Sequence, residues 1–431
     1  MESSRDRLEE RLQRLAARAE EEKVFSRLYV EPARAAADAA DARRRAGVTL
    51  GPLDGAIVSV KDLFDVAGEP TLAGSLMRRD VRPAEADAVV VARLRRAGAV
   101  IIGKTAMTEF AFTAIGDNPH YGTPGNAADA ARIPGGSSSG AGVSVAEGTS
   151  DVAIGSDTGG SVRIPAALNG VVGFKPTARR VPLDGAFPLS PTLDSIGPLA
   201  RTVAECAAAD AIMAGEEFRH LQPVDLSGVR IGIPRGALFA HTEATVADAF
   251  DHSLRKLTLT GMAVADVAID DLLIEMKKAT KRASIAAMEG AEIHADWLAA
   301  GAATAVDPHV SEPLARAASV PAPVYMRALR RRRELMAAMD ERLSGLDALV
   351  LPTVPILAPT IAAMAADEAA RDRAEGLLLR NTQVANQFDL CAISLPMPGT
   401  DLPSSLMLVG RHGHDSRLLA IAAAVETLLT A

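Results

Sequence analysis

The chain has 431 residues, 48% of them hydrophobic, which is enough for one large α/β domain or for several smaller ones. Its net charge of −8 at pH 7 argues against a nucleic-acid-binding protein, which usually carries a basic face, so we expect no nucleic-acid partner. The two cysteines, Cys206 and Cys391, exclude a disulfide framework and a metal site of the C-x-x-C kind.

The N-terminal segment and the apolar stretches show no pattern of membrane targeting. MESSRDRLEERLQRL is charged and has a helical pattern, so it resembles neither a signal peptide nor a transit peptide. No stretch approaches about eighteen apolar residues without a charge, so the sequence predicts no transmembrane helix. From these features we expect a cytoplasmic protein with no membrane partner.

The first predicted unit is an N-terminal helical arm over residues 1–50. Leu8, Leu12 and Leu15 recur at helical spacing among dense charges within residues 4–46, which is the pattern of an amphipathic helix. We expect this arm to pack on the main domain and to help position a second protomer. This expectation favours a homodimer.

From residue 51 onward, short apolar stretches alternate with helical patterns. Strands are predicted at residues 56–60, 99–103, 151–155, 171–174, 229–234, 347–354, 391–397 and 405–410. Helices are predicted at residues 86–98, 138–148 and 415–429, with a mostly helical insertion at about 242–345. This alternation is typical of an α/β sandwich with helices on both faces of a sheet, so we predict one domain over residues 51–431.

The segment GAVIIGKT, residues 98–105, matches the phosphate-binding pattern G-x-x-x-x-G-K-[ST]. That motif needs a flexible glycine loop whose backbone amides surround a phosphate. Here the four middle residues are Ala-Val-Ile-Ile, which predicts a buried strand whose amides bond to neighbouring strands. We therefore reject nucleotide binding and expect a structural role for Lys104 at the end of this strand.

A second pattern, G-x-S-x-G at residues 136–140, matches the nucleophile elbow of the α/β-hydrolases and would make Ser138 the nucleophile. The elbow requires a strand that runs directly into the turn, whereas NAADAARIP (126–134) has the composition of a loop. Because His412 or His414 could supply the histidine partner, this interpretation stays open as an alternative.

Three further stretches place serine and lysine side chains on glycine turns or at a strand end. PGGSSSG (134–140) and GSDTGGS (155–161) each present serine on a glycine turn, and VSVKDLF (58–64) places Lys61 after an apolar strand. A serine nucleophile needs a base, and no histidine lies near Ser161 in the sequence. Burial would lower the pKa of a lysine from about 10.4, and lowering it to about 7 costs roughly 4–5 kcal/mol. A buried Lys61 could therefore be a neutral base.

Each of these stretches also has a plain structural interpretation when it is taken alone. Ser161 could be an ordinary loop residue, and Ser137 could be a helix N-cap. Lys61 could lie on the surface or pair with Asp62 or Asp65. The joint occurrence of the three stretches favours the catalytic interpretation.

The same stretches resemble the amidase signature enzymes, most densely over about residues 50–205. The resemblance is carried by GPLDGAIVSVKDLFDVAGEPTLAGS, GAVIIGKTAMTEFAF, PGGSSSGAGVSVAEGTSDVAIGSDTGGSVRIPAALNGVVGFKPT and the later LVLPTVPILAP. It implies an α/β fold built as a three-layer α/β/α sandwich around a large mixed β-sheet.

The resemblance also implies a Ser–cis-Ser–Lys triad. At the matching positions the lysine is Lys61, the nucleophile is Ser161 and the middle serine is Ser137, which follows a cis peptide bond from Gly136. Ser161 would attack the substrate carbonyl, and Ser137 would pass the proton of Ser161 towards Lys61.

The turn before Ser161 is expected to supply an oxyanion hole, because glycines let the backbone amides approach the reacting carbonyl closely. The donors are the backbone amides of Thr158, Gly159, Gly160 and Ser161. Supporting roles are expected for Gly136, Ser138, Asp157 and Arg163. We expect Asp157 and Arg163 to pair and hold the turn.

The function that these features predict is an amidohydrolase that cleaves a small carboxamide or acylamide through an acyl-enzyme. We expect a free-standing enzyme with no cofactor and no metal, whose partner is the small-molecule amide. The alternative is the A subunit of a glutamine-dependent tRNA amidotransferase. Residues 216–345 show no feature that we can connect with glutamine recognition, which favours the free-standing amidase.

Overall fold

The structure, a computed structural model, describes residues 3–18, 23–222 and 224–430. The strands are β1 (Phe25–Leu28), β2 (Ile57–Lys61), β3 (Val100–Thr105), β4 (Val152–Ser156), β5 (Val172–Lys175), β6 (Ile196–Ala200), β7 (Arg230–Ile233), β8 (Ala263–Asp266), β9 (Ala348–Pro352), β10 (Cys391–Pro396) and β11 (Ser405–Gly410).

The helices divide into those before, within and after the predicted insertion. Those before it are α1 (Ser4–Ala17), α2 (Val30–Arg45), α3 (Val89–Arg96), α4 (Ser139–Ala146), α5 (Arg163–Asn169) and α6 (Val203–Ala214). Those within it are α7 (Ala244–Leu259), α8 (Asp270–Ala279), α9 (Ile285–Ile293), α10 (Ala295–Ala299), α11 (Pro308–Ala318) and α12 (Ala322–Leu343). Those after it are α13 (Ile361–Ala366), α14 (Glu368–Gln387) and α15 (Asp415–Thr430).

The strands form one mixed sheet in the order β1-β3-β2-β4-β6-β5-β10-β11-β9-β7-β8. Pairing is parallel across β3, β2 and β4 and across β9, β7 and β8. The remaining neighbours pair antiparallel. Because β2 and β4 are parallel neighbours, their carboxyl ends meet at the same edge, and this brings Lys61 close to Ser156.

Side chains alternate between the two faces of the sheet, and helices cover both. On β2, Ile57 packs with Leu8 of α1, whereas Val58 and Val60 pack on the opposite face with Leu94 of α3. Helices α6, α7 and α15 also contribute to the second face, and α2 and α4 to the first. This arrangement confirms the predicted three-layer α/β/α sandwich. In the described part of the chain, no helix combines the length and the apolar character needed to cross a bilayer.

The N-terminal arm is not purely helical, so that part of the prediction is wrong. The four-residue strand β1 lies between α1 and α2 and pairs antiparallel with β3 at one edge of the sheet. Helix α1 nevertheless buries Leu8, Leu12 and Leu15 as the pattern indicates. Residues 1–2 and 19–22 of the predicted arm lie outside the described residues.

Two further strands were not predicted. The insertion contains β8, which pairs parallel with β7 at the other edge of the sheet, so this segment is mostly but not entirely helical. Strand β6 pairs with both β4 and β5 in the centre of the sheet. Its sequence IGPLA contains a glycine and a proline, which weaken the local strand pattern.

A buried ion pair ties the turn after β4 to α14. Both carboxylate oxygens of Asp157 accept hydrogen bonds from Arg163, from Nη2 at 2.8 Å and from Nε at 3.0 Å. The same guanidinium donates to the carbonyl oxygen of Thr382 and to the side chain of Asn386 on α14. Neither Asp157 nor Arg163 is exposed, and the interactions with Arg163 hold the pKa of Asp157 at about 2 against the opposing effect of burial. The expected pairing is therefore present.

We expect Arg163→Met to destabilise the protein by about 3–5 kcal/mol, because it leaves the Asp157 carboxylate buried without its counter-charge. The change is measured as the shift in the denaturation midpoint in urea. Arg331→Met is the matched control, because Arg331 forms its ion pairs on the partly exposed surface of α12. Equal midpoints for Arg163→Met and the control would contradict the role of the buried pair.

Candidate functional site

Lys61 is the last residue of β2, and its side chain is fully buried. The alternation along the strand places Lys61 on the same face as Ser59, whose hydroxyl lies 3.3 Å from that of Ser144 on α4. Lys61 therefore points to the layer that contains α4. Its Nζ lies 2.7 Å from Oγ of Ser137 and 2.9 Å from Oγ of Ser156.

Burial lowers the pKa of Lys61 from 10.5 to about 7, because the charged ammonium loses its hydration. The carboxylates of Asp157 and Asp194 oppose this shift, but desolvation is the larger effect. A substantial fraction of the Lys61 side chains is therefore neutral near pH 7. A neutral amine has a free lone pair and can accept a proton from a hydroxyl at hydrogen-bonding distance.

Ser137 lies in a segment that runs alongside residues 108–115 before α4 begins. Its carbonyl oxygen accepts from the amide of Thr108 at 3.1 Å, and the amide of Gly136 donates to the carbonyl oxygen of Ala114 at 2.7 Å. The Gly136–Ser137 peptide bond is cis, as the resemblance implied. Ser137 is not the N-cap of α4, since that position is occupied by Ser138 and the Ser137 hydroxyl bonds to Lys61.

Ser138 connects α4 with the turn after β4. Its hydroxyl donates to the carbonyl oxygen of Ser156, and its amide donates to the carbonyl oxygen of Ser161, both at 3.3 Å. Gly155 has no Cβ, and one added there would lie 2.7 Å from the Ser138 hydroxyl. The absence of that side chain allows the two segments to approach each other.

Ser161 follows a turn whose amides have no partner within the described part of the chain. The amides of Thr158, Gly159, Gly160 and Ser161 donate to no described residue, so they are available to a ligand. Gly160 has a φ of +140°, and a Cβ there would lie 2.2 Å from the Thr382 hydroxyl of α14. That hydroxyl donates to the carbonyl oxygen of Gly159 at 2.7 Å, so α14 holds the turn from behind.

The side chains of Lys61 and Ser137 are in direct contact, whereas Ser161 is connected to the segment that contains Ser137 by a backbone hydrogen bond from Ser138. Between these described residues there is a hydrogen bond from Lys61 to Ser137, but none from the Ser161 hydroxyl to Ser137. The contact from the Ser138 amide to Ser161 makes the two serine segments neighbours. Ser161 is 6% exposed, whereas the side chains of Lys61 and Ser137 are fully buried. Of the two serines, Ser161 is therefore the one that a ligand can reach.

Sequence reasoning missed Ser156 and Asp194, two of the polar residues around Lys61 and the turn. Ser156 is the second partner of Lys61, and it stands inside the GSDTGGS stretch, so its position at the end of β4 was a usable signal. Asp194 accepts a hydrogen bond from the Thr158 hydroxyl at 2.5 Å and others from the amides of Leu189 and Ser190. Burial raises the pKa of Asp194. No local pattern connects Asp194 with Thr158, which is far from it in the sequence.

The two formal motifs have structural explanations. The GAVIIGKT segment contains β3, all six residues of which are buried, and Lys104 forms an ion pair with Asp62 at 3.2 Å. The strand prediction for this segment is therefore confirmed. Residues 126–136 contain no strand, only a single bridge from Arg132 to Thr360, so the strand that the nucleophile elbow requires is missing there.

Two cavities of about 190 Å³ each adjoin the turn and share Thr158 in their walls. The first contains Ser161 and Gly159 together with the polar side chains of Glu375, Gln383 and Gln387. Its described lining includes no lysine and no arginine. The second contains Ser156 and Asp194.

A separate cavity of about 830 Å³ lies near Thr192, Met288 and Tyr325. It is larger, but its described lining includes neither Ser161 nor Lys61, so the chemistry favours the smaller cavities. Among the residues that the structure describes, no group of three or more His, Cys, Asp or Glu side chains could hold a metal ion.

Several known proteins are similar to this chain over most of its length. The model of the family described as Amidase matches residues 6–419. The 2-amino-5-chloromuconic acid deaminase of Comamonas testosteroni is 36% identical over 406 residues, which are 92% of this chain and 86% of that protein. The A subunit of the glutamyl-tRNA(Gln) amidotransferase of Halobacterium salinarum is 33% identical over 417 residues, which are 88% of this chain and 97% of that protein.

The fold comparison gives the same result. The crystal structure of an amidase superposes on this chain with a TM-score of 0.89 at 34% identity and covers 99% of this chain and 96% of its own. The family match extends over nearly the whole chain, and the matching structure has the same sandwich. The chain therefore belongs to the amidase signature family and is an enzyme that hydrolyses amide C–N bonds.

Proposed function

We propose that this enzyme cleaves a small carboxamide or acylamide by a Ser–cis-Ser–Lys mechanism in which Ser161 is the nucleophile, Ser137 the relay and Lys61 the base. The observation that carries the proposal is the 2.7 Å contact between a fully buried Lys61 and Ser137. Ser161 lines the adjoining cavity, where a substrate carbonyl would meet the unpaired amides of residues 158–161.

In the acylation step, Oγ of Ser161 forms a bond to the carbonyl carbon of the amide. Its proton passes to Oγ of Ser137, whose own proton passes to neutral Nζ of Lys61. The carbonyl oxygen becomes an oxyanion, and the backbone amides of the turn stabilise it. Each such donor is typically worth a factor of about 10²–10³ in rate.

The proton on Lys61 then serves the leaving group. It returns through Ser137 to the nitrogen of the substrate, and the C–N bond breaks with release of ammonia or an amine. Protonation is required because an amide anion is a very poor leaving group. Water attacks the resulting ester of Ser161 by the same proton route, and this step releases the carboxylate and restores the free serine.

The cavity favours an acyl group that carries no carboxylate. Its described lining includes neutral polar side chains and the carboxyl group of Glu375, but no cation. A glutamine substrate would bring an α-carboxylate for which this lining offers no counter-charge. This observation supports a simple amide over the amidotransferase alternative, which the similarity to the Halobacterium salinarum protein keeps open. We also propose that the enzyme is a cytoplasmic homodimer and needs no cofactor.

We expect Ser161→Ala to abolish amidase activity and its labelling by a fluorophosphonate, which reacts with an activated serine hydroxyl. Lys61→Met should lower activity by several orders of magnitude, because the proton of Ser137 then has no acceptor, and the variant should remain folded. Ser253→Ala is the matched control, since Ser253 is a fully buried serine that bonds within α7. Labelling that persists in Ser161→Ala but is lost in Ser138→Ala would restore the nucleophile-elbow alternative.

The purified chain alone should release ammonia or an amine from a panel of aliphatic amides, aryl amides, ureido compounds and glutamine, with some simple amide preferred over glutamine. It should do so without ATP or RNA, because the base, the relay and the nucleophile all lie in this chain. Steady-state ammonia release measures the reaction, and light scattering measures the oligomeric state. Activity confined to glutamine, and present only when charged tRNA and a partner protein are added, would support the amidotransferase alternative.

A further inference from the structure

Glu375 is a carboxyl group in the wall of the Ser161 cavity that the proposed mechanism does not use. It lies on α14, and its oxygens accept hydrogen bonds from two backbone amides of the segment between β3 and α4. The amide of Ala114 lies 2.7 Å from Oε1 and 3.0 Å from Oε2, and the amide of Ile115 lies 3.1 Å from Oε2. One side chain therefore holds two consecutive peptide groups.

The same two residues hold the segment that ends at Ser137. The carbonyl oxygen of Ala114 accepts from the amide of Gly136 at 2.7 Å, and that of Ile115 accepts from the amide of Gly135 at 3.1 Å. A continuous path of hydrogen bonds therefore leads from the Glu375 carboxyl group, through residues 114–115, to the glycines before Ser137. Charge on a terminal acceptor strengthens the bonds in such a path.

We infer that Glu375 is a positioning residue that fixes the backbone of residues 114–115 and, through it, the orientation of the Ser137 hydroxyl between Lys61 and Ser161. The inference rests on the proposed function, because it gives Ser137 a place in proton transfer. A misplacement of about 1 Å in a reacting group can lower a rate by about 10²-fold, so a distant clamp can affect catalysis without touching substrate.

The raised pKa of Glu375 makes this role dependent on pH. Burial raises the pKa of Glu375 to about 7, although the amides of Ala114 and Ile115 and the charge of Arg371 oppose the shift. Arg371 is itself paired with Asp117, at 2.5 and 3.0 Å, so it neutralises Glu375 only in part. The ionised carboxyl group accepts from both amides, whereas protonation turns one oxygen into a donor and weakens the clamp.

The test compares the rate at which a fluorophosphonate labels Ser161 in wild type, Glu375→Gln and Glu375→Ala across a range of pH. We expect Glu375→Ala to slow labelling by about 10²-fold. Glu375→Gln should be intermediate, since its amide oxygen can replace Oε2 as the acceptor but carries no charge, and its NH₂ group cannot replace Oε1, which accepts from the amide of Ala114 at 2.7 Å. In wild type, the decline in labelling towards acid pH should be steeper than in Glu375→Gln, which keeps only the ionisation of Lys61.

Glu368→Gln is the matched control, because Glu368 lies on the same helix but is mostly exposed and pairs with His309. Glu375→Gln is nearly isosteric, so it carries the test if Glu375→Ala fails to fold. Wild-type rates and pH profiles in both Glu375 variants, with only a lower unfolding temperature, would overturn the positioning role while leaving the proposed function intact. If wild-type Ser161 is not labelled, the proposed function fails and this inference fails with it.

Discussion

The loss of hydration at the Lys61 amine is the constraint on which the rest of the site depends. A fall in pKa from 10.5 to about 7 corresponds to about 5 kcal/mol of differential stabilisation between the neutral and charged forms. The large sheet supplies the burial, since β2 lies between β3 and β4 and ends beneath α4. The hydroxyls of Ser137 and Ser156 form the hydrogen bonds of the amine there. The burial leaves an amine that is partly neutral near pH 7.

The turn at residues 157–161 is held by a helix far away in the sequence. Helix α14 contributes Thr382 and Asn386 to the Asp157–Arg163 pair and to the backbone of Gly159. The same helix contributes Glu375 to the segment that leads to Ser137. The two serine segments are thus both attached by hydrogen bonds to α14 or to residues that α14 holds. Helix α14 thus holds the two serine segments, while β2 and β4 carry Lys61 and Ser156 at their ends.

The sequence predicted those strands and helices whose apolar residues recur with the period of a strand or a helix, because burial of one face leaves such a pattern. It did not predict β1 or β8, which are four-residue edge strands with mostly polar or exposed residues. The serines and the lysine could be proposed as site residues because each stands in a local motif. Glu375 and Asp194 were missed, because their partners Ala114 and Thr158 lie far from them in the sequence and only the folded chain brings them together.

The protonation state of Lys61 can be measured directly by an NMR titration of the protein with ¹³C at the Cε atoms of its lysines. We predict one lysine with a pKa close to 7 whose signal is absent from Lys61→Met, because the fully buried amine loses its hydration. The ordinary value for a lysine is about 10.4, and exposed lysines should titrate near it. If the signal assigned to Lys61 also titrates there, Lys61 is charged at neutral pH and cannot accept the proton of Ser137.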